Sequence, residues 1–161
     1  MVRHVTSADC DAIARIYNYY IANTVITFEE QLLKPEDILA RIRNVEAAAL
    51  PWLVVEEGGR VVGYAYASKW KERAAYRHSV EISVYLDPDH RGKGLGTSLY
   101  EGLFAILRSK GVHVAIAGIA LPNEASVALA EKFGMEKVAH FREVGFKLGR
   151  WIDVGYWQCI L

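Results

Sequence analysis

Ser79-Val80-Glu81-Ile82-Ser83-Val84-Tyr85-Leu86 and, a short step further, Arg91-Gly92-Lys93-Gly94-Leu95-Gly96-Thr97 are the two stretches whose reading decides the fold. In the first, Val80, Ile82, Val84 and Leu86 alternate with Glu81, Ser83 and Tyr85, the period of two that marks a central strand, with Glu81 as the polar exception. The second leads into Thr97 to Ser109, where Leu99, Leu103, Phe104, Ile106 and Leu107 recur at helical spacing before Gly111. Closely spaced glycines let the backbone approach a ligand and aim successive N–H groups into one concavity. The partial positive charge of a helix N-terminus then suits that concavity to a pyrophosphate, with Arg91 and Lys93 as supplements. On the pattern alone an ordinary strand-to-helix turn explains the same glycines. Two other phosphate loops are excluded by spacing: glycines at 92, 94 and 96 do not give G-x-G-x-x-G, and Gly92-Lys93 is followed by Gly94 rather than by Ser or Thr.

Outward from this unit the chain divides into short elements. Upstream, Thr6 and Ser7 are candidate caps for a helix carrying Ile13, Ile16, Tyr17, Tyr20 and Ile21 on one face, and a second helix starts at Pro35 with Ile38, Ile42 and Val45 as its stripe. Trp52 to Glu56 and Val61 to Ser68 read as a hairpin about Gly58 and Gly59. Downstream, the apolar run His113 to Ala120 suits a strand covered on both faces, Asn123 caps a helix over about Glu124 to Phe133, and Gly134 closes it. Val138 to Phe141 and Trp151 to Ile160 read as two more strands around a loop containing Gly145, Lys147 and Gly149. The order is that of a mixed α/β domain with a mostly antiparallel sheet over residues 1 to 161.

Composition narrows the partners. The 161 residues are 52% hydrophobic and 24% charged, with no repeat or low-complexity linker, as expected of one globular domain. Nineteen Lys and Arg balance nineteen Asp and Glu, so no bulk field attracts nucleic acid or an anionic membrane. The charged start MVRHVTSAD lacks the apolar stretch of a secretory signal, which places the expected location in the cytoplasm. Cys10 and Cys159 lack metal-ligand spacing, and no metal is expected.

The glycine unit following Val84-Tyr85-Leu86 resembles the acyl-CoA loop of the GNAT superfamily of N-acetyltransferases. Four further segments in the same order look like its phosphinothricin and methionine sulfoximine acetyltransferase branch: Trp70 to Tyr76, Val80 to Leu86, Leu121 to Ser126 and Gly145 to Trp151. The resemblance implies a sheet split at two parallel central strands, with acetyl-CoA as co-substrate in the split. Val84, Tyr85 and Leu86 would bond the pantetheine arm, Arg91, Gly92, Lys93, Gly94, Leu95, Gly96 and Thr97 the pyrophosphate, and Asn123 and Ser126 would reach the pantetheine side. Asn123 as a helix cap needs no ligand.

Acetyl transfer to an amine requires the neutral amine, hence a base. Glu81 is the candidate, since burial in the sheet would raise its pKa; an ion pair with Arg73 or Arg77 would lower it. The resemblance also implies a tyrosine on the helix after Asn123 to protonate the leaving thiolate, where this chain has Phe133, so the general acid stays unassigned. For the acceptor, Arg73, with Arg77 as helper, is expected to grip an anionic group of a small amino-acid analogue, Tyr76 to wall it, and Phe28 and Glu29 to form the opposite side. Other acceptors, such as a peptide N-terminus or a polyamine, and a non-catalytic acyl-CoA sensor are the alternatives. The apolar segment Trp151 to Leu161 suits a homodimer contact or the core.

Overall fold

The computed structural model describes residues 1–161. Seven strands, β1 Val2–His4, β2 Trp52–Glu57, β3 Arg60–Lys69, β4 Ser79–Leu86, β5 Val114–Ala120, β6 Glu136–Lys147 and β7 Arg150–Ile160, form one sheet in the order β1-β2-β3-β4-β5-β7-β6. All neighbours are antiparallel except β4 and β5. Four helices, α1 Cys10–Asn23, α2 Pro35–Ala47, α3 Leu95–Ser109 and α4 Glu124–Lys132, cover it.

Strand alternation assigns each side chain to a face. On one face Val80, Ile82, Ala115, Ala117 and Ile119 pack against Leu99, Leu103, Phe104 and Leu107 of α3 and Ala130 of α4. Leu103 and Leu107 are fully buried, and truncating either to Ala would cost about 2–5 kcal/mol. On the other face Val54 and Tyr64 meet the α1 and α2 stripes expected from periodicity, Ile13, Ile16, Tyr17, Ile38 and Ile42 among them. Tyr64 and Tyr66 of β3 stack with Trp52 of β2.

Three boundaries differ from expectation. Helix α3 starts at Leu95 rather than Thr97, because Gly94, at φ +77°, already serves as its N-cap. The three-residue β1, anchored by pairing with Leu53 to Val55, is too short for periodicity to reveal. The expected loop about Gly145 and Lys147 is instead strand. Chain reversal is confined to Leu148 and Gly149, whose consecutive positive φ values of 51° and 76° fit a tight hairpin turn. The irregularity in β6 is a bulge between Phe141 and Gly145, with Glu143 at φ +52°. There Gly145 is required, since a Cβ would lie 2.4 Å from the Phe28 ring.

Candidate active site

Strands β4 and β5 pair only between Ser79–Glu81 and Val114–Ile116. Beyond Glu81 they separate, β4 staying with β3 as far as Leu86 and β5 with β7 as far as Ala120. The separation leaves the facing edges of both strands without a strand partner. Ser83, Val84 and Tyr85 border the gap on one side and Ala117 to Ala120 on the other, with Asn123 and Ser126 of the α4 N-terminus across its end. An unpaired backbone edge retains donors and acceptors in fixed register, which an extended amide-bearing chain can satisfy.

The gap opens into a space of about 210 Å³ lined by Leu86, Arg91, Gly92, Gly96, Ala125 and Leu129. Gly92 and Gly94, at φ +76° and +77°, turn the chain into α3, and no side chain caps that helix. Its first N–H groups are thus left for solvent or an anion. Gly96 serves packing, since a Cβ there would lie 3.2 Å from Leu129 of α4. The α4 N-terminus contrasts with α3: Asn123 Oδ1 accepts from the Ser126 N–H at 3.2 Å, so the capping role of Asn123 is realised.

Helix α1 fixes the loop from behind. Tyr20 donates its hydroxyl to the Leu86 carbonyl at 2.5 Å, and Arg91 donates to the Tyr20 oxygen at 3.2 Å while its guanidinium lies 5.5 Å from the ring centre. Arg15 pairs with buried Asp87 at 2.7 Å, and Asp87 in turn accepts from the Asp89 N–H. The two supplementary cations differ in freedom: Lys93 is paired with Glu57 at 3.1 Å, and Arg91 is exposed beside Tyr20. A cation that the loop sequence does not contain also reaches it, since Lys132 of α4 donates to the Thr97 hydroxyl at 3.3 Å.

Glu81 lies where the paired part of β4 and β5 ends, in register with Ser68 of β3 and Ile116 of β5. It makes no ion pair; Arg73 and Arg77 do not reach it. Burial pushes its carboxyl above the usual carboxylate range, and Lys71 offsets part of that rise. On the same face a chamber of about 620 Å³ is lined by Phe28, Trp70, Lys71, Ile116, Phe141 and Tyr156, among others. The Tyr156 ring lies over Gly118, where a Cβ would approach it to 2.9 Å, and meets Trp70 edge to face at 5.6 Å. Burial and the Glu81 charge both push the Tyr156 phenol up.

The expected acceptor residues are not all at this chamber. Phe28 lines it, seated against Gly145. The Glu29 carboxylate takes two bonds from Arg41, at 2.8 and 2.5 Å, and one from Tyr17, and Arg41 holds it below the usual carboxylate range. It is therefore occupied in joining α1 to α2. Arg73, Tyr76 and Arg77 stand exposed on the turn after the chamber wall and do not line it, and Arg77 donates to the Ala74 carbonyl. The cation at the wall is Lys71. Trp70, on the charged segment that sequence already marks, is the aromatic at the wall, whereas Phe141 and Tyr156 reach the chamber only through the pairing of β6 with β7, which no local pattern shows.

The chain matches the model of the acetyltransferase (GNAT) domain over residues 2–155. It is 40% identical to an L-amino acid N-acyltransferase of Escherichia coli over 98% of this chain and 91% of that protein. It is 38% identical to an L-methionine sulfoximine/L-methionine sulfone acetyltransferase of Salmonella typhimurium, over 98% of this chain and 92% of the other. A crystal structure of a phosphinothricin acetyltransferase from Sinorhizobium meliloti in complex with acetyl-CoA superposes with a TM-score of 0.97 at 36% identity, covering 100% of this chain and 88% of that one.

Proposed function

The chain belongs to the GNAT family of acetyltransferases, and we propose that it moves acetyl from acetyl-CoA to the amino group of a small amino-acid analogue of the phosphinothricin, methionine sulfoximine or methionine sulfone type. The observation that carries this reading is the position of Glu81, an unpaired carboxylate where the split opens and on the face of the apolar chamber. A binding module that only senses acyl-CoA has no use for a carboxylate held there without a partner.

In this reading the unpaired edge at Val84, Tyr85 and Leu86 bonds the pantetheine amides, with Ser126 beside them and Asn123 capping α4. Gly92 to Thr97, with Arg91 and Lys93, receive the pyrophosphate. Phe28, Trp70 and Tyr156 enclose the acceptor side chain, and Lys71, rather than Arg73 or Arg77, meets its anionic end. Glu81 takes one proton from the acceptor ammonium. The nitrogen then attacks the thioester carbon, a C–N bond forms, the C–S pair leaves on sulfur, and the nitrogen gives up its second proton. No metal enters this chemistry. A polyamine is disfavoured because Lys71 repels a polycation.

No helix is long and apolar enough to cross a membrane, and we assign the reaction to the cytoplasm. The exposed rings of Phe146 and Trp151 on the β6–β7 hairpin support a homodimer contact there. Light scattering at twice the chain mass is its check, and a monomer refutes it. The function is tested by acetyl-CoA-dependent thiol release with phosphinothricin, methionine sulfone, spermidine and a peptide bearing a free N-terminus. The amino-acid analogues should give the highest kcat/KM. Preference for spermidine or the peptide overturns the assignment.

A further inference from the structure

Asp9, Asp87 and Lys147 are the buried charged residues. Asp9 and Asp87 are paired with Arg3 and Arg15. Lys147, the last residue of β6 and 3% exposed, forms no ion pair. Its Nζ donates instead to the Thr27 carbonyl at 2.7 Å and, more weakly, to the Tyr20 carbonyl at 3.5 Å. Burial pushes the ammonium below its ordinary range, and Glu30 and Glu29 offset part of that fall. A buried cation without a carboxylate costs stability against an apolar residue of the same volume, so the reason for keeping it lies in what the two carbonyls hold.

Residues 25–33 run between α1 and α2 without helix or strand, and no backbone–backbone hydrogen bond involves them. Side chains hold this segment instead. Glu29 and Leu33 tie it to α1 and α2. The bond from Lys147 to Thr27 is its one hydrogen bond to the β6–β7 hairpin. Thr27 immediately precedes Phe28, whose ring lines the acceptor chamber and lies over Gly145. Gly145 and Lys147 are two apart on β6, which places them on one face. The glycine makes the seat for the ring, and the lysine holds the peptide from which that ring departs. The Tyr20 carbonyl, by contrast, already accepts from the Thr24 N–H at 3.2 Å and from the Thr24 hydroxyl at 2.8 Å. The Tyr20 hydroxyl, which fixes Leu86 and Arg91, needs nothing from Lys147.

We propose that Lys147 is a positioning residue for the acceptor: by tying the Thr27 carbonyl to β6 it sets the Phe28 ring over Gly145 and so fixes one wall of the chamber. The inference rests on the acetyl-transfer reading above and adds to it a residue that lines neither the chamber nor the cofactor space. Its effect is confined to one half of the site. A wall that contacts the acceptor side chain, away from the reacting nitrogen, is felt alike before and during the reaction, so its loss appears in acceptor KM rather than in kcat.

The test is Lys147→Met, which keeps the unbranched volume and removes the donors. On the free protein, amides of residues 25–30 should exchange hydrogen at least about tenfold faster, while those of β4 and α3 keep their wild-type rates. With methionine sulfone as acceptor, KM should rise about tenfold with kcat within about threefold, and acetyl-CoA affinity by calorimetry should be unchanged. Phe28→Ala closes the cycle. If Lys147 acts through Phe28, the double variant should be no worse than Phe28→Ala alone, whereas a general loss of structure would add to it. Should the Met variant fail to fold, Lys147→Gln, which keeps a shorter donor, takes its place in the same cycle. Unchanged exchange at residues 25–30, additive losses, or acceptor KM and acetyl-CoA affinity worsening together would each overturn the proposal. If wild type acetylates no amino-acid analogue, the acetyl-transfer reading falls, and hydrogen exchange still decides whether Lys147 holds the segment before Phe28.

Discussion

The two halves of the site are built from different materials. On the cofactor side, Leu86 to Thr97 is one contiguous run whose working groups are backbone N–H donors, exposed by two glycines in the left-handed region and by the uncapped start of α3. On the acceptor side, Phe28, Trp70, Lys71, Glu81, Phe141 and Tyr156 come from separate parts of the chain, and side chains make the surface. A backbone-built site needs only the right conformation. A side-chain-built site needs the whole sheet in register before it exists, and it can change its ligand by changing a few residues.

The sharpest break in this comparison is at Glu81, where the halves meet. Glu81→Gln keeps the volume and removes the base, so kcat should fall on the order of 10²-fold or more while acetyl-CoA affinity persists. The same exchange should stabilise the protein. Burial raises the folded-state pKa of Glu81 above its unfolded value, so the folded state binds protons more tightly. The carboxyl then costs nothing at a pH below the unfolded pKa and costs progressively more as pH rises through the folded one. The Gln variant should therefore melt above wild type at neutral pH, with the gap closing as the pH is taken below about 4. Wild-type turnover in the variant across pH would leave Glu81 a purely structural residue.

The next break concerns the backbone-built half. Gly94→Val places a β-branched residue at φ +77°, and although nothing obstructs its Cβ, the loop must abandon that conformation. Acetyl-CoA affinity by calorimetry should fall at least about tenfold, while melting changes little because the loop is exposed. Gly96→Ala tests the contrast, since its Cβ meets only the Leu129 side chain, at 3.2 Å, and the effect should be smaller. Equal losses for the two variants would refute the distinction between the cradle glycine and the packing glycine.

The same difference in materials sets how much was legible in the sequence. The β4 alternation, the α1 and α2 stripes and the glycine unit lie in local order, and each stands in the structure where periodicity and turn chemistry put it. Strand β6 extends well beyond Val138 to Phe141, unseen in sequence because most of it is exposed and carries no alternating pattern, and because its bulge imitates a loop. The chamber wall is hidden from sequence for a related reason. Among Lys71, Arg73 and Arg77 sequence offers three cations on one segment, and only the fold shows that Lys71 borders the chamber while the other two lie on the exposed turn beyond it. Tyr20 falls on the core stripe of α1 yet also holds Leu86 and Arg91, and nothing in the helical period distinguishes a core tyrosine from one that fixes a loop as well.

Lys71 therefore carries the smallest expected effect and the most selective one. Its ammonium lies 4.9 Å from the Trp70 ring centre, exposed on one side and bordering the chamber on the other, so part of its attraction for an anionic group is screened by solvent. Lys71→Ala should lower kcat/KM for methionine sulfoximine by about tenfold, the low end for a charge-assisted contact. The carboxamide analogue should lose about threefold or less, because it offers the lysine no charge. The variant removes a cation that also opposes the rise in the Glu81 pKa, so the pH at which turnover reaches half its maximum should move upward. Arg73→Ala on the exposed turn should leave both ratios near wild type. A loss that is equal for the charged and uncharged acceptors in Lys71→Ala, with the larger charge-dependent loss in Arg73→Ala, would return the anion contact to the turn and show that the chamber wall is rebuilt when the acceptor binds.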